Sequence, residues 1–273
     1  MTGRFIGRRA VVTGASRGIG AGLAERLGAE GASVALVART LDQHDHLSGS
    51  LRVTTERVAR HGALAVPIVA DLADEHDRAR VVPEAVEALG GSVDILVNNA
   101  AAAMYGHPST LSLRRRRVMV EVNLHAPLDL AQAVVPDMRA RGEGWIVNVS
   151  SGTARNFEGP PFDLGPSLAS MTSYGASKAA LNRTTNGLAA ELWGTGIRVN
   201  SVEPRAAVLT EGAGALVGAS LNADQIESVE AMVEAAVALC ACGADVTGHS
   251  FVSLDLLDRW QLEPRGLDGE PLP

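Results

Sequence analysis

Along the 273-residue chain, short apolar runs alternate with longer stretches in which apolar and polar residues mix. The runs are Ala10–Thr13, Ser33–Val37, Ala65–Val69, Asp94–Val97, Trp145–Val149, Arg198–Val202 and Ser250–Leu254. Short, nearly uninterrupted apolar segments predict strands covered on both faces, as in parallel sheets. The segments between them are rich in Ala, Leu, Glu and Arg and have helical length. Strand–helix alternation of this kind predicts an α/β fold: a Rossmann-type, doubly wound parallel sheet of about seven strands in a single domain. The expected division is a nucleotide-binding catalytic domain over 1–259 and a C-terminal tail over 260–273. Pro67 falls inside the third run, and proline within a sheet is largely confined to edges. The strand order 3-2-1-4-5-6 puts that strand at an edge. After Leu257 the chain reads as non-regular, either frayed or laid across a neighbouring subunit.

Thr13-Gly14-Ala15-Ser16-Arg17-Gly18-Ile19-Gly20 follows the first run directly and opens a helical segment. Glycines in a G-x-x-x-G-x-G spacing allow a tight turn and let a pyrophosphate approach the backbone and the helix N-terminus. Gly14, Ser16, Arg17, Gly18, Ile19 and Gly20 are therefore candidate dinucleotide-binding residues, the bland alternative being an ordinary glycine-rich turn. No Gly-Lys-Ser/Thr triplet ends the loop, so a nucleotide-hydrolysing P-loop is not supported. An NAD site usually carries an acid after the second strand, but Ala38-Arg39-Thr40 stands there. A guanidinium at 39, with Arg17 closing on the same group, suits a 2′-phosphate. The expected cofactor is NADP(H) in preference to NAD(H); two solvated arginines are the alternative.

Tyr174-Gly175-Ala176-Ser177-Lys178 precedes the amphipathic segment from Ala179 to Leu192. Tyrosine and lysine at i and i+4 project from one helix face. An ammonium ~5 Å from a phenol is worth ~3 kcal/mol at an effective dielectric of ~20, enough to lower a tyrosine pKa by about two units. With the glycine loop, Asn98-Asn99-Ala100 after the fourth run and Ser150-Ser151 after the fifth, the chain resembles the short-chain dehydrogenase/reductase family over roughly residues 5–254. The resemblance implies that Tyr174 is the general acid/base, that Lys178 depresses its pKa and holds the nicotinamide ribose, and that Ser151 binds the substrate oxygen. It also implies that Asn99, Asp71 and Leu72 contact the adenosine half of the cofactor. Asn123 matches the family's active-site asparagine. Independently, Pro127 has no N–H to give the Asn123 carbonyl four residues back, so a kink is expected there. Similar enzymes are homodimers or homotetramers through the helices bearing Asn123 and Tyr174.

Three positions depart from the family pattern: Ala101 for a glycine, Arg205 for the glycine after Pro204, and Asp255-Leu256-Leu257 for Asp-Gly-Gly. The 22 residues between Ser151 and Tyr174 form a longer stretch than is usual, carrying Phe157, Phe162, Leu164, Pro166 and Leu168. That stretch reads as an apolar substrate wall, or as a loop packed on itself or on a second subunit. Gly212, Gly214 and Gly218 suit a lid over the same site. Arg114–Arg117 wrap more than a full helical turn and read as a solvated surface, an anionic substrate tail or a subunit contact. The polar cluster of His44, Asp45 and His46 lacks a matching distant ligand set, so no metal is expected.

Composition sharpens the picture. Hydrophobic residues are 46% and charged residues 20%, against disorder, while aromatics are only 3%, so the core must be aliphatic. A net charge of −7 with few aromatics argues against nucleic acid as a partner. No apolar run reaches the ~18 residues of a membrane span, and Met1–Arg9 lacks a secretory apolar region. Cys240 and Cys242 read as buried thiols of a reducing compartment. The expectation is a cytoplasmic oxidoreductase interconverting a ketone or aldehyde and an alcohol, on a hydrophobic small molecule. The rival is a dinucleotide-sensing protein on the same fold that has lost turnover.

Overall fold

Val11, Leu36, Ile95 and Val147, one from each of four apolar runs, are buried, because each run becomes a strand with helices on both faces. The computed structural model describes residues 3–42, 48–162, 169–210 and 226–272. The first half contains β1 (Arg9–Thr13), α1 (Gly18–Ala29), β2 (Ser33–Ala38), α2 (Leu51–Ala59), β3 (Ala65–Val69), α3 (Glu75–Leu89) and β4 (Ile95–Asn98). It continues with α4 (Leu113–Val120), a π-helical turn (Glu121–His125), α5 (Ala126–Arg141), β5 (Gly144–Val149) and a 3₁₀ turn (Gly152–Ala154). Then follow α6 (Thr172–Glu191), β6 (Ile197–Glu203), β7 (Ala207–Val208), β8 (Ile226–Glu227), α7 (Val229–Leu239), β9 (Ser250–Val252) and α8 (Ser253–Trp260).

Seven strands pair in parallel in the order β3-β2-β1-β4-β5-β6-β9. Pro67, opposite Leu36, lies in the edge strand, where one side of the ladder is unpaired and a missing N–H is tolerated. Leu23, Leu27, Val58 and Val237 fill the layer on one face of the sheet, and Val81, Leu130 and Ala189 fill the other. The strand order reverses between β1 and β4, and in such sheets the crevice beyond the carboxyl ends of those strands is where ligands bind. No helix among the described residues is long and apolar enough to cross a membrane.

The C-terminal region differs from the sequence expectation. The last strand stops at Val252, and Leu254 belongs to α8, which runs three residues past Leu257. Burial decides this: Leu256 and Leu257 enter the core on one side of α8, while Asp255 and Asp258 face outward. Beyond it the described part of the chain is not frayed but bonds back onto its own domain. Arg26 of α1 donates from Nη1 to the Gly266 carbonyl at 3.1 Å, and Leu262 and Leu267 pack against the core.

Candidate active site

The glycine loop joins β1 to α1 at the switch point, and its shape depends on the absence of side chains. Gly14 has φ 67°, and a Cβ on Gly20 would lie 2.3 Å from both the Gly14 carbonyl and Asn99 Nδ2. Thr13 Oγ1 accepts from the N–H groups of Asn99 and Ala100, both at 3.0 Å. Asn99 Nδ2 donates in return to the Thr13 carbonyl at 2.9 Å. These bonds pin the loop to the end of β4.

A groove of about 990 Å³ runs over the loop. Gly14, Ser16, Arg17, Gly18, Ile19 and Gly20 border it, and Arg39, Asp71, Leu72 and Asn99 border it as well. Ten residues selected from sequence thus converge on one cavity, without a carboxylate at the end of β2. Arg17 Nη2 donates to the Gly49 carbonyl at 3.3 Å, but its Nε is buried with no partner among the described residues. An unsatisfied buried donor costs about 1–3 kcal/mol, and a phosphate oxygen would remove that cost. The loop, the groove and the unpartnered Arg17 Nε fit a phosphorylated dinucleotide.

Tyr174 and Lys178 stand outside the residues that border the groove, on α6. The segment Ala100–Met104 borders the groove, and the next residue, Tyr105, meets the Tyr174 ring edge-on at 6.3 Å. The same loop is tied to the segment before α6 by the Gly106 N–H, which donates to the Ser170 carbonyl at 2.8 Å. One continuous wall therefore links the groove to Tyr174.

Lys178 is buried, and its Nζ donates to the Val149 carbonyl at 2.7 Å and lies 6.0 Å from the Tyr174 ring centre. Burial draws its pKa down to about 8. The Tyr174 phenol moves the opposite way to the sequence expectation. Burial raises its pKa above the ordinary tyrosine value, the Tyr105 phenol adds to the rise, and a hydrogen bond with Ser151 pulls against it. Lys178 is not among the groups that lower it here; its ammonium bonds the Val149 carbonyl instead. Ser151 Oγ also lies 2.9 Å from Thr153 Oγ1.

Asn123 is fully buried in the π-helical turn. There the ladder shifts to i→i−5, with the Ala126 N–H donating to the Glu121 carbonyl, so the expected irregularity before Pro127 takes the form of a widened turn. Asn123 Nδ2 donates to Ser177 Oγ at 2.9 Å and to the Ala102 carbonyl at 3.0 Å, while its Oδ1 accepts from the Ala102 N–H at 2.8 Å. Ser177 Oγ in turn donates to the Tyr174 carbonyl at 2.6 Å. Asn123 thus fastens both the Ala100–Tyr105 loop and the first turn of α6.

The family departures have local explanations. Ala101 does not adopt a positive φ, so its backbone needs no glycine. The Arg205 N–H donates to Glu227 Oε2 at 2.8 Å, and its guanidinium turns away from the groove to pair with Asp255 and Asp258 of α8. Arg205, a departure, is thus ion-paired with Asp255, the residue of the Asp-Gly-Gly position that is kept. Tyr105 and Ser177 were not singled out from sequence. That Tyr105 and Tyr174 are the chain's two tyrosines was the available signal for the first, and the position of Ser177 one residue before Lys178 was the signal for the second. Phe157 and Phe162 are exposed, the latter with its ring against Gly159. Leu164, Pro166 and Leu168, the His44–His46 cluster and Gly212, Gly214 and Gly218 lie outside the described residues.

Residues 8–216 match the family described as short chain dehydrogenase. Hydroxysteroid dehydrogenase-like protein 2 of Danio rerio is 30% identical over 94% of this chain and 60% of its own length. The mouse protein of that name is also 30% identical, over 94% of this chain and 50% of its own length. The chain therefore spans about half to three-fifths of these relatives. Among solved structures, a putative NAD(P) dependent gluconate 5-dehydrogenase from Beutenbergia cavernae with bound NADP is 31% identical. It superposes with a TM-score of 0.76, covering 91% of this chain and 95% of its own. A short chain dehydrogenase from Mycobacterium thermoresistibile gives a TM-score of 0.80 at 28% identity, covering 98% of both chains. A 3-oxoacyl (acyl-carrier-protein) reductase from Agrobacterium tumefaciens C58 with NADP bound gives 0.76 at 30% identity, covering 91% and 93%.

Proposed function

The chain belongs to the short-chain dehydrogenase family, and from that premise we propose that it interconverts a ketone or aldehyde and the corresponding alcohol with NADP(H). The observation that carries this reading is the half-buried Tyr174 phenol, hydrogen-bonded to Ser151, on a wall continuous with the groove over the glycine loop. The bound nicotinamide supplies or accepts the hydride. Gly14, Ser16, Arg17, Gly18, Ile19 and Gly20 would hold the pyrophosphate and its flanking sugar, with Asp71, Leu72 and Asn99 along the adenosine half. Arg39, exposed at the rim, and the orphaned Arg17 Nε favour a 2′-phosphate and hence NADP(H) over NAD(H). Two of the solved relatives hold NADP, which agrees with that preference.

Tyr174 exchanges the proton of the substrate oxygen, and at neutral pH its phenol carries the proton that the acid role in carbonyl reduction requires. Ser151 donates to the developing oxyanion. Lys178 places a cation 6.0 Å from the Tyr174 ring centre and would hold the nicotinamide ribose, while Asn123 positions the elements that carry both. The substrate proposed is an apolar small molecule, with exposed Phe157 and Phe162 offering the apolar surface. The catalytic unit is residues 1–259 with the tail 260–273 bracing it, in a cytoplasmic homodimer or homotetramer that needs neither nucleic acid nor membrane.

The rival, a nucleotide sensor without turnover, drew on Ala101 and Arg205. Neither disturbs the groove backbone, which favours the enzyme. The deciding experiment follows NADPH oxidation across steroids, fatty ketones and quinones, for wild type and Tyr174→Phe. Turnover by the wild type that falls about 100-fold or more in the variant, with NADPH binding kept, is the expected result. NADPH binding without turnover of any carbonyl would establish the sensor.

A further inference from the structure

Arg114, Arg115, Arg116 and Arg117 lie in α4, which begins after the Ser112 cap. A helix N-terminus is already positive, so Arg114 and Arg115 in the first turn are locally unfavourable, whereas Arg117 stands in the last turn. All four are exposed, and none has an ion-pair partner among the described residues, although the chain has a net charge of −7. Local frustration at Arg114 and Arg115 that no described residue relieves points to a functional surface. The helix also sorts the four. Arg114 and Arg115 border the groove, whereas Arg116 and Arg117 do not. With Arg17 and Arg39, four guanidiniums face the groove against one carboxylate, Asp71, among the described residues.

We infer that Arg114 and Arg115 form a second cationic wall of the groove, across from the glycine loop, that recognises the phosphorylated adenosine half of the dinucleotide. The inference rests on the cofactor reading above and adds a specificity element to it. Guanidinium groups recognise phosphate oxygens by charge-assisted hydrogen bonds, and a groove of one sign concentrates its counter-ion. Val118, one helical turn beyond Arg114 and Arg115, also borders the groove and continues the same wall.

The test is fluorescence titration of the whole chain with NADPH and with NADH at low and high salt. Replacing both residues, Arg114→Gln with Arg115→Gln, is expected to raise the NADPH Kd about tenfold, the NADH Kd by less than about threefold, and to flatten the salt dependence for NADPH. Arg116→Gln with Arg117→Gln, exposed on the same helix but off the groove, is expected to change neither Kd. An unchanged NADPH Kd in the first variant, or equal weakening by both pairs, overturns the inference. Equal weakening of NADPH and NADH by the first pair overturns phosphate recognition. Failure of the wild type to bind either nucleotide would instead overturn the cofactor reading, so the two failures are distinct.

Discussion

At the scale of single residues, the site is governed by where charge is allowed to sit. Lys178 is buried and its pKa is drawn down to about 8, so its ammonium persists below that pH and is lost above it. Carbonyl reduction, which needs the cation beside a protonated Tyr174, is therefore expected to decline as pH rises through about 8. A pH profile of kcat/KM with a limiting carbonyl substrate measures this, and a rate still climbing through pH 9 would contradict it. Lys178→Ala removes the cation at every pH and is expected to reduce kcat by about 100-fold while leaving a folded protein. At the groove rim the argument is charge against charge. Arg39→Asp replaces an attraction for a 2′-phosphate with a repulsion, worth about 2–3 kcal/mol. The NADPH/NADH preference, read as a ratio of Kd values, is expected to fall by about 30- to 150-fold. An unchanged ratio would mean that Arg39 is merely solvated.

At the scale of elements, the π-helical turn is the piece that joins chemistry to fold. Pro127 withholds the N–H that a regular helix would give Asn123, and the widened turn keeps Asn123 buried against α6 and the Ala100–Tyr105 loop. Asn123→Ala is expected to loosen both attachments. Losing a buried hydrogen-bonding partner leaves Ser177 and the Ala102 backbone unsatisfied, at about 1–3 kcal/mol. The expected outcome is a lower Tm together with a fall in kcat larger than any change in NADPH Kd, since the glycine loop is pinned separately by Asn99. This relation between proline and asparagine was legible in sequence, because it follows from one missing donor. Which partners the asparagine would find was not, since Ala102 and Ser177 lie 21 and 54 residues away.

At the scale of the whole molecule, the C-terminal tail is held by an ion cluster buried beneath it. Arg26, fully covered, donates to Glu30 and Glu234, both at 2.6 Å, and to the Gly266 carbonyl at 3.1 Å. It thereby links α1, α7 and the tail. Arg26→Ala leaves Glu30 and Glu234 to Arg4, which pairs with both, but removes two buried charge-assisted bonds and the hold on the tail, and is expected to cost about 1–3 kcal/mol in chemical denaturation. The pair Arg205–Asp255, exposed on both sides and screened by solvent, should matter far less.

The linear pattern of apolar runs determined the sheet, because a strand covered on both faces must be apolar throughout, and the proline in β3 marked the edge for want of a donor. The glycine spacing, Arg39 and the Tyr174/Lys178 pair were likewise readable, since each is a local arrangement with a local physical consequence. The end of β9, the course of α8 and the tail went unread because burial against distant helices, rather than local pattern, sets them. The direction of the Tyr174 pKa shift, the contact with Tyr105 and the division of Arg114–Arg117 between groove and solvent were decided by the tertiary structure alone. Desolvation and electrostatic pairing depend on what lies within a few ångströms in space, and neighbours in the chain do not supply that.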